Sequence, residues 1–319
     1  MPAAGEDRLL RWLRDQLDEP LIGDDAAVLP AGGPFAVTVD HQIAGVHFPP
    51  GLDEATIAKR LLAVNLSDLA ASGAVPAYAF LALAAPAGFD HKRFFTAFLA
   101  ACRRFGVRLA GGDLAKNERF TAALTLMGTK VEGGRWLSRS DASPGHALWL
   151  GGTVGESAAG RILIERIGLP PSFEVFSSPL RAAARRAVRR HLQPEPQLDL
   201  GRWLATRQTG AAMDVSDGVS RDLHRLCRAS EAGAEITAEA LPLSDRFEDL
   251  CKTIDADPLA LALGGGEDYV LLFTLPEGEA PPESFACRKI GTITTGRGVR
   301  LRTNGRAEPL PDLGWDHLQ

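Results

Sequence analysis

The chain has 319 residues, 45% of them hydrophobic and 24% charged, with a formal net charge of −5. That length is more than one ordinary core holds, so two domains are expected. The acidic balance argues against non-specific nucleic-acid binding, and no apolar run reaches the ~20 residues of a membrane span.

In chain order, residues 6–18 read as an amphipathic helix, with Leu9, Leu10, Leu13 and Leu17 at helical spacing. The charge in "MPAAGEDRLLRWLRD" leaves no apolar stretch for a signal peptide. "PFAVTVD" (34–40) reads as a buried strand ending on Asp40, and 53–72 as a helix carrying Asp68 near its end, with Gly73 as its stop. Residues 77–86 are strand-like and 90–105 helical. "VRLAGGD" reads as a strand entering a glycine turn at Asp113, and 120–131 as a further strand. Ser, Asp, Pro and Gly cluster in "SRSDASPGHALWLGG", which places a domain boundary near 140–146. Beyond it we expect a glycine-rich turn at 151–160, helices near 179–192 and 218–232, and strands at 210–215, 268–275 and 287–294. "HLQPEPQ" (191–197) reads as a surface turn. Consecutive strands mixed with helices favour α+β over a strictly alternating parallel sheet.

The acids carry the chemistry. Asp24 and Asp25 stand side by side in "IGDDAAVLP", and adjacent carboxylates need a cation or water. Asp40, Asp113 and Asp214 end apparent strands or open turns, where sites are commonly built. Small neighbours (Gly23, Gly111, Gly112, Ser216, Gly218 and Gly264–Gly266) allow a ligand to approach the backbone closely. Taken singly, each Asp is an ordinary turn or N-cap residue, and Ser216 or Asp217 could cap the helix at 218. Taken together, oxygen-only acids suit Mg²⁺, which takes a few carboxylates and leaves room for phosphates. Other motifs fail. "GGTVGESAAG" lacks the lysine of a P-loop, "DVSDG" has Arg225 where a calcium loop needs Glu, and there is no HExxH or GxSxG. "RAAARRAVRR" (181–190) reads as a solvated helix face. The four dispersed cysteines suit buried thiols in a reducing cytoplasm.

"GDDAAV", "TVDHQIAGVHF", "AVNLSDLAASGAVP", "LAGGD", "SRSDASPGHALWLGGTVGESAAG", "MDVSDGVSRDL" and "GGGEDYVLLFT" occur in an order that closely resembles the thiamine-monophosphate kinase family. That family lies within the aminoimidazole-ribonucleotide synthetase (PurM-like) superfamily. The resemblance runs from about residue 20 to the C-terminus. It implies a two-domain α+β protein, with residues 1–140 forming an ATP- and metal-binding dimerisation domain. Residues 141–319 would form a mixed sheet with helices that completes the nucleotide and substrate site. It also implies a cytoplasmic homodimer whose N-terminal sheets pair into a β-barrel. The implied partners are ATP, thiamine monophosphate and several Mg²⁺ ions, with no nucleic acid and no membrane. By motif match the metal set is Asp24, Asp40, Asp68, Asp113, Asp214 and Asp217. Gly112, Asp113, Arg139 and Ser216 would contact ATP, with Arg139 stabilising the transferring phosphoryl. His47, Glu267 and Trp315 would contact the substrate. No general base is implied, because the acceptor is itself a largely ionised phosphate.

The chain departs from the family pattern at Val39, where a hydroxyl residue is usual, at Leu114, where Thr is usual, and at His41, where an apolar residue is common. The carboxylates are intact. Among superfamily rivals, a selenophosphate synthetase would need a reactive N-terminal Cys, whereas the first here is Cys102. A hydrogenase-maturation dehydratase would need a C-terminal Cys, whereas the chain ends "WDHLQ". A purine-pathway synthetase fits "GVHF" with "GGEDY" less well. A non-catalytic nucleotide- or metal-binding protein would be supported by a missing acid, and none is missing.

Overall fold

The computed structural model describes residues 12–17 and 33–314. The expected first helix is therefore seen only at 12–15, which is helical, and Asp24, Asp25 and Trp315 lie outside the described residues. The chain forms two compact units. One comprises Met1–Leu69 with Val75–Lys130, and the other Ala70–Ala74 with Val131–Gln319. The second unit begins earlier than the expected boundary because the segment after Lys130 is bonded within it. Arg135 N–H donates to Ala205 O and Leu137 N–H to Ser72 O, while the Arg135 guanidinium reaches Arg207 O, Gly210 O and Asp141.

The first unit is built from β1 (Ala36–Ile43), α1 (Glu54–Ala71), β2 (Ala74–Ala85), α2 (His91–Phe105), β3 (Arg108–Lys116) and β4 (Thr121–Lys130). Its sheet has the order β1-β4-β2-β3, with β1 antiparallel to β4 and β2 parallel to β3. The parallel pair is joined through α2, as such a pair requires. Asp90 caps α2 by accepting the Arg93 N–H, and Gly106 ends it with φ 70°. Between these caps Phe94, Phe95, Phe98, Leu99 and Cys102 are buried at helical spacing. β4 alternates, burying Ala122, Leu124 and Leu126. On β1 the opposite face carries Val37 and Val39, which are 57% and 55% exposed.

The second unit is built from β5 (Ala147–Leu150), α3 (Glu156–Ile167), α4 (Ser178–Leu192), α5 (Leu198–Ala205), β6 (Ala212–Asp214), α6 (Val219–Ala229), β7 (Gly233–Thr237), α7 (Phe247–Thr253), α8 (Pro258–Gly264), β8 (Leu271–Leu275), β9 (Arg288–Thr294), β10 (Gly298–Thr303) and β11 (Arg306–Pro309). Its sheet has the order β11-β10-β7-β9-β5-β8-β6 and is antiparallel except between β10 and β7. The architecture is thus α+β, as expected. Among the described residues neither sheet closes on itself, and no helix is long and apolar enough to cross a membrane.

The expected turn at 151–160 ends early, because 156–160 already belong to α3. There Gly160 lets α4 approach closely, since a Cβ would overlap the Ala187 carbonyl. Gly160→Ala is expected to cost about 1–3 kcal/mol by overpacking this contact, read as a fall in the urea midpoint. The arginine-rich stretch on α4 is not simply solvated. Arg186 donates to the buried Glu156, to Ser244 Oγ and to Asp245 O. "HLQPEPQ" is likewise more than a surface turn. Gln197 donates to Gly151 O and accepts the Leu271 N–H, so it holds the edge of the core.

Candidate active site

In the first unit, alternation along β1 places Thr38, Asp40 and Gln42 on one face, and each position meets α1. The Thr38 hydroxyl donates to Asp68 Oδ2 (2.5 Å), the Asp40 N–H to Asn65 Oδ1 (3.2 Å), and Arg60 Nε to Gln42 Oε1 (3.0 Å). Asn65 is fully buried and anchors itself by donating to Leu61 O. Three rungs therefore join one strand to one helix and place Asp40 and Asp68 on facing elements. Asp40 lies within β1 and does not end it. After β1, His47 Nδ1 accepts the Ile43 N–H (3.1 Å).

Asp113 behaves differently from the sequence expectation. "LAGGD" does not turn. It continues as β3, because a Cβ at Gly112 would overlap the Leu81 carbonyl and glycine alone fits beside β2. Ala79 and Phe80 of β2 face Leu109 and Gly111, so Ala110 of β3 is an extra residue and the register shifts there. Leu109 and Ala110 are consequently both buried and Asp113 is exposed beside Ala82. Within one chain, β3 is at the opposite sheet edge from β1. Three strand spacings of ~4.8 Å separate them, about 14 Å in all, too far for Asp40 and Asp113 to ligate one ion.

In the second unit, "MDVSDG" and "GGGEDY" lie side by side. Tyr269 N–H donates to Val215 O, Glu267 N–H to Ser216 O, and Val215 N–H to Val270 O. Gly266 takes φ 68°, and a Cβ there would stand 2.8 Å from Ser216 O. Asp214 is buried at the end of β6. The expected cap of α6 by Ser216 or Asp217 is not made, since Gly218 occupies the N-cap without a side-chain bond. Asp222, in the first turn, instead reaches back to accept the Ser216 and Asp217 N–H groups that precede the helix. Arg225 then pairs with both Asp217 and Asp222. The C-terminal segment returns here: Ser220 donates to Pro311 O, Arg221 pairs with Asp312, and Gly314 packs against Asp217 O. Arg139 is exposed, and its carbonyl accepts the Ser230 hydroxyl.

The N-terminus of α3, which could bind an anion, is filled by the protein's own Asp268. Its carboxylate accepts the Gly155 N–H (2.8 Å) and the Ser157 N–H (3.3 Å). Burial pushes this carboxyl up to about 7, opposed by those amides and Arg190 and reinforced by Glu156. Burial likewise pushes Asp222 up to about 6, opposed first by the Asp217 amide. Both folded values lie above the ordinary 3.8, so the stability linked to these groups is fully present below 3.8 and is lost as pH rises through about 6 and about 7. Between about pH 4 and about pH 7 stability should therefore fall with pH, by at most about 1.4 kcal/mol per pH unit for each group. Asp268→Asn should flatten the upper part of this profile, as read from urea midpoints across the range. Asp268, Asp222, Arg225 and His191 were not marked by sequence reasoning. The i, i+3 spacing of Asp222 and Arg225 was the one local cue to any of them.

Among the described residues no group of three or more His, Cys, Asp or Glu could by itself hold a metal ion. The Asp40–Asp68 pair nonetheless fits Mg²⁺, which is commonly bound by one or two carboxylates together with substrate phosphates.

The family described as "AIR synthase related protein, N-terminal domain" matches residues 23–130. The thiamine-monophosphate kinase of Salmonella typhimurium is 38% identical over 309 residues, which cover 93% of this chain and 91% of that protein. The chain belongs to the thiamine-monophosphate kinase family. The Aquifex aeolicus thiamine-monophosphate kinase is 30% identical over 320 residues, covering 98% of both chains. The structure of AaThiL complexed with AMPPCP and TMP superposes with a TM-score of 0.79 at 30% identity, covering 98% of this chain and 97% of that one. The family's N-terminal match falls on the segment that carries Asp24, Asp40, Asp68 and Asp113.

Proposed function

We propose that this chain transfers the γ-phosphoryl of ATP directly to the phosphate of thiamine monophosphate, giving thiamine diphosphate. The observation that carries this reading is the strand and helix that present Asp40 and Asp68, bonded to each other through Thr38 and Asn65, in a chain that aligns over 93% of its length with a kinase of this name. Two polyanions must meet, and Mg²⁺ bound to their phosphates would neutralise the repulsion and hold the reacting oxygens in line. Asp40 and Asp68 would hold such an ion, and Asp24, Asp113 and Asp214 would serve others. Asp217 already has its counter-charge in Arg225, so we leave it out of the metal set. Gly112 and Ser216 would meet ATP through backbone and hydroxyl groups, and the exposed Arg139 guanidinium would stabilise charge on the transferring group. The acceptor phosphate needs no base. His47, Glu267 and Trp315 are assigned to thiamine. Incubation with Mg-ATP and thiamine monophosphate, followed by detection of thiamine diphosphate, tests the reading. Absence of that product from folded protein would overturn it.

We also propose a homodimer formed through the open face of the first sheet, its sheets pairing into a barrel. The exposed Val37 and Val39 on an edge strand are the support. Val39→Lys is expected to weaken self-association at least about tenfold, since a charge would be buried without a partner. Sedimentation velocity would check this.

A further inference from the structure

We propose that His191 is a positioning residue for thiamine recognition, acting through Glu267, an inference that rests on the assignment of Glu267 to the substrate. His191 stands in the last turn of α4 and is 2% exposed. Its Nδ1 lies 3.2 Å from Glu267 Oε2 and 3.3 Å from Ser157 Oγ. The Ser157 N–H in turn donates to Asp268, the residue after Glu267. A closed circuit therefore runs from Glu267 through His191 and Ser157 to Asp268, tying the glycine-rich loop to α3 and α4.

The backbone at Glu267 is held independently of that circuit. It takes φ 58°, and Tyr269 takes φ 51°, conformations that cost non-glycine residues free energy and persist where the surroundings enforce them. The enforcing bonds are those from Glu267 N–H to Ser216 O and from Tyr269 N–H to Val215 O. With the backbone pinned, the remaining freedom is rotation of the side chain. An imidazole N–H on Oε2 removes it and fixes the plane of the carboxylate, and so the direction in which the group meets a ligand. The Glu267 side chain keeps 25% of its exposure, so it is reachable from solvent while His191 is not. A fixed carboxylate of this kind suits a cationic ligand bearing N–H donors, such as an aminopyrimidine joined to a thiazolium, and has nothing to offer a triphosphate.

The test compares three substitutions at one position against Glu267→Gln. His191→Leu removes the donor, His191→Asn keeps an N–H near the Nδ1 position, and His191→Gln carries it farther from the backbone. His191→Leu is expected to raise KM for thiamine monophosphate about tenfold, with KM for ATP within about twofold, whereas His191→Asn stays within about threefold for both. Equal effects of the leucine and asparagine variants, or a parallel rise in both Michaelis constants, would reduce His191 to a packing residue. If the leucine variant does not fold, the amides decide: His191→Gln should raise KM for thiamine monophosphate and His191→Asn should not, and equal values overturn the proposal. If Glu267→Gln leaves KM for thiamine monophosphate unchanged, Glu267 is not a substrate contact and both readings fall. If it raises that constant while His191→Leu does not, the positioning role alone falls.

Discussion

Asp68→Asn is expected to slow phosphoryl transfer by about a thousandfold, the scale of losing one group that stabilises charge in the transition state. The side chain keeps its size and can still accept the Thr38 hydroxyl through its remaining oxygen, so the rung between β1 and α1 persists. What disappears is one negative charge opposite a divalent cation and two phosphate chains. Single-turnover transfer at saturating Mg²⁺ and ATP, with circular dichroism to verify the fold, would check it, and near-normal turnover would remove Asp68 from the metal set. Thr38→Val should cost about 10- to 100-fold, because it leaves the acid in place but frees its orientation.

Asp268→Ala is expected to destabilise the protein by about 2–6 kcal/mol, at about 1–3 kcal/mol for each of the two buried N–H groups left unsatisfied. It would leave the buried Gly155 and Ser157 N–H groups without their acceptor. A domain's whole stability is about 5–15 kcal/mol, so little would remain. Asp268→Asn should cost less, because one amide oxygen can still accept an N–H. Urea unfolding of both variants separates the two outcomes, and an alanine variant as stable as the asparagine variant would show that the carboxylate does not hold α3.

The elements that announced themselves were those whose side chains follow a short period. α2 was legible because Phe94, Phe95, Phe98, Leu99 and Cys102 recur at helical spacing between Asp90 and Gly106, and β4 because its small and apolar residues alternate. The acids of the site were legible as residue types in motifs of recognisable order. Their placement was not. "GGD" has the composition of a turn, and only the Leu81 carbonyl on the neighbouring strand explains why glycine is needed in a continuing β3. Asp268 looked like one more loop acid because the amides it caps begin 113 residues earlier. His191 sat in a stretch rich in Pro and Gln, and its burial depends on packing between α3 and α4 that no local pattern encodes.

The rungs between β1 and α1 also bear on how this family diverges. Thr38 sets the direction of Asp68 and Asn65 holds the backbone that carries Asp40, without being acids themselves. A lineage could keep every aspartate and still lose its chemistry through drift at position 38 or 65, and a compensating change on the facing element could restore it. Retention of the aspartates is therefore an incomplete criterion for activity in a diverged member. The side-chain pair 38 with 68 is the unit that descends together and should be read as one inherited character, whereas Asn65 answers to the backbone of β1.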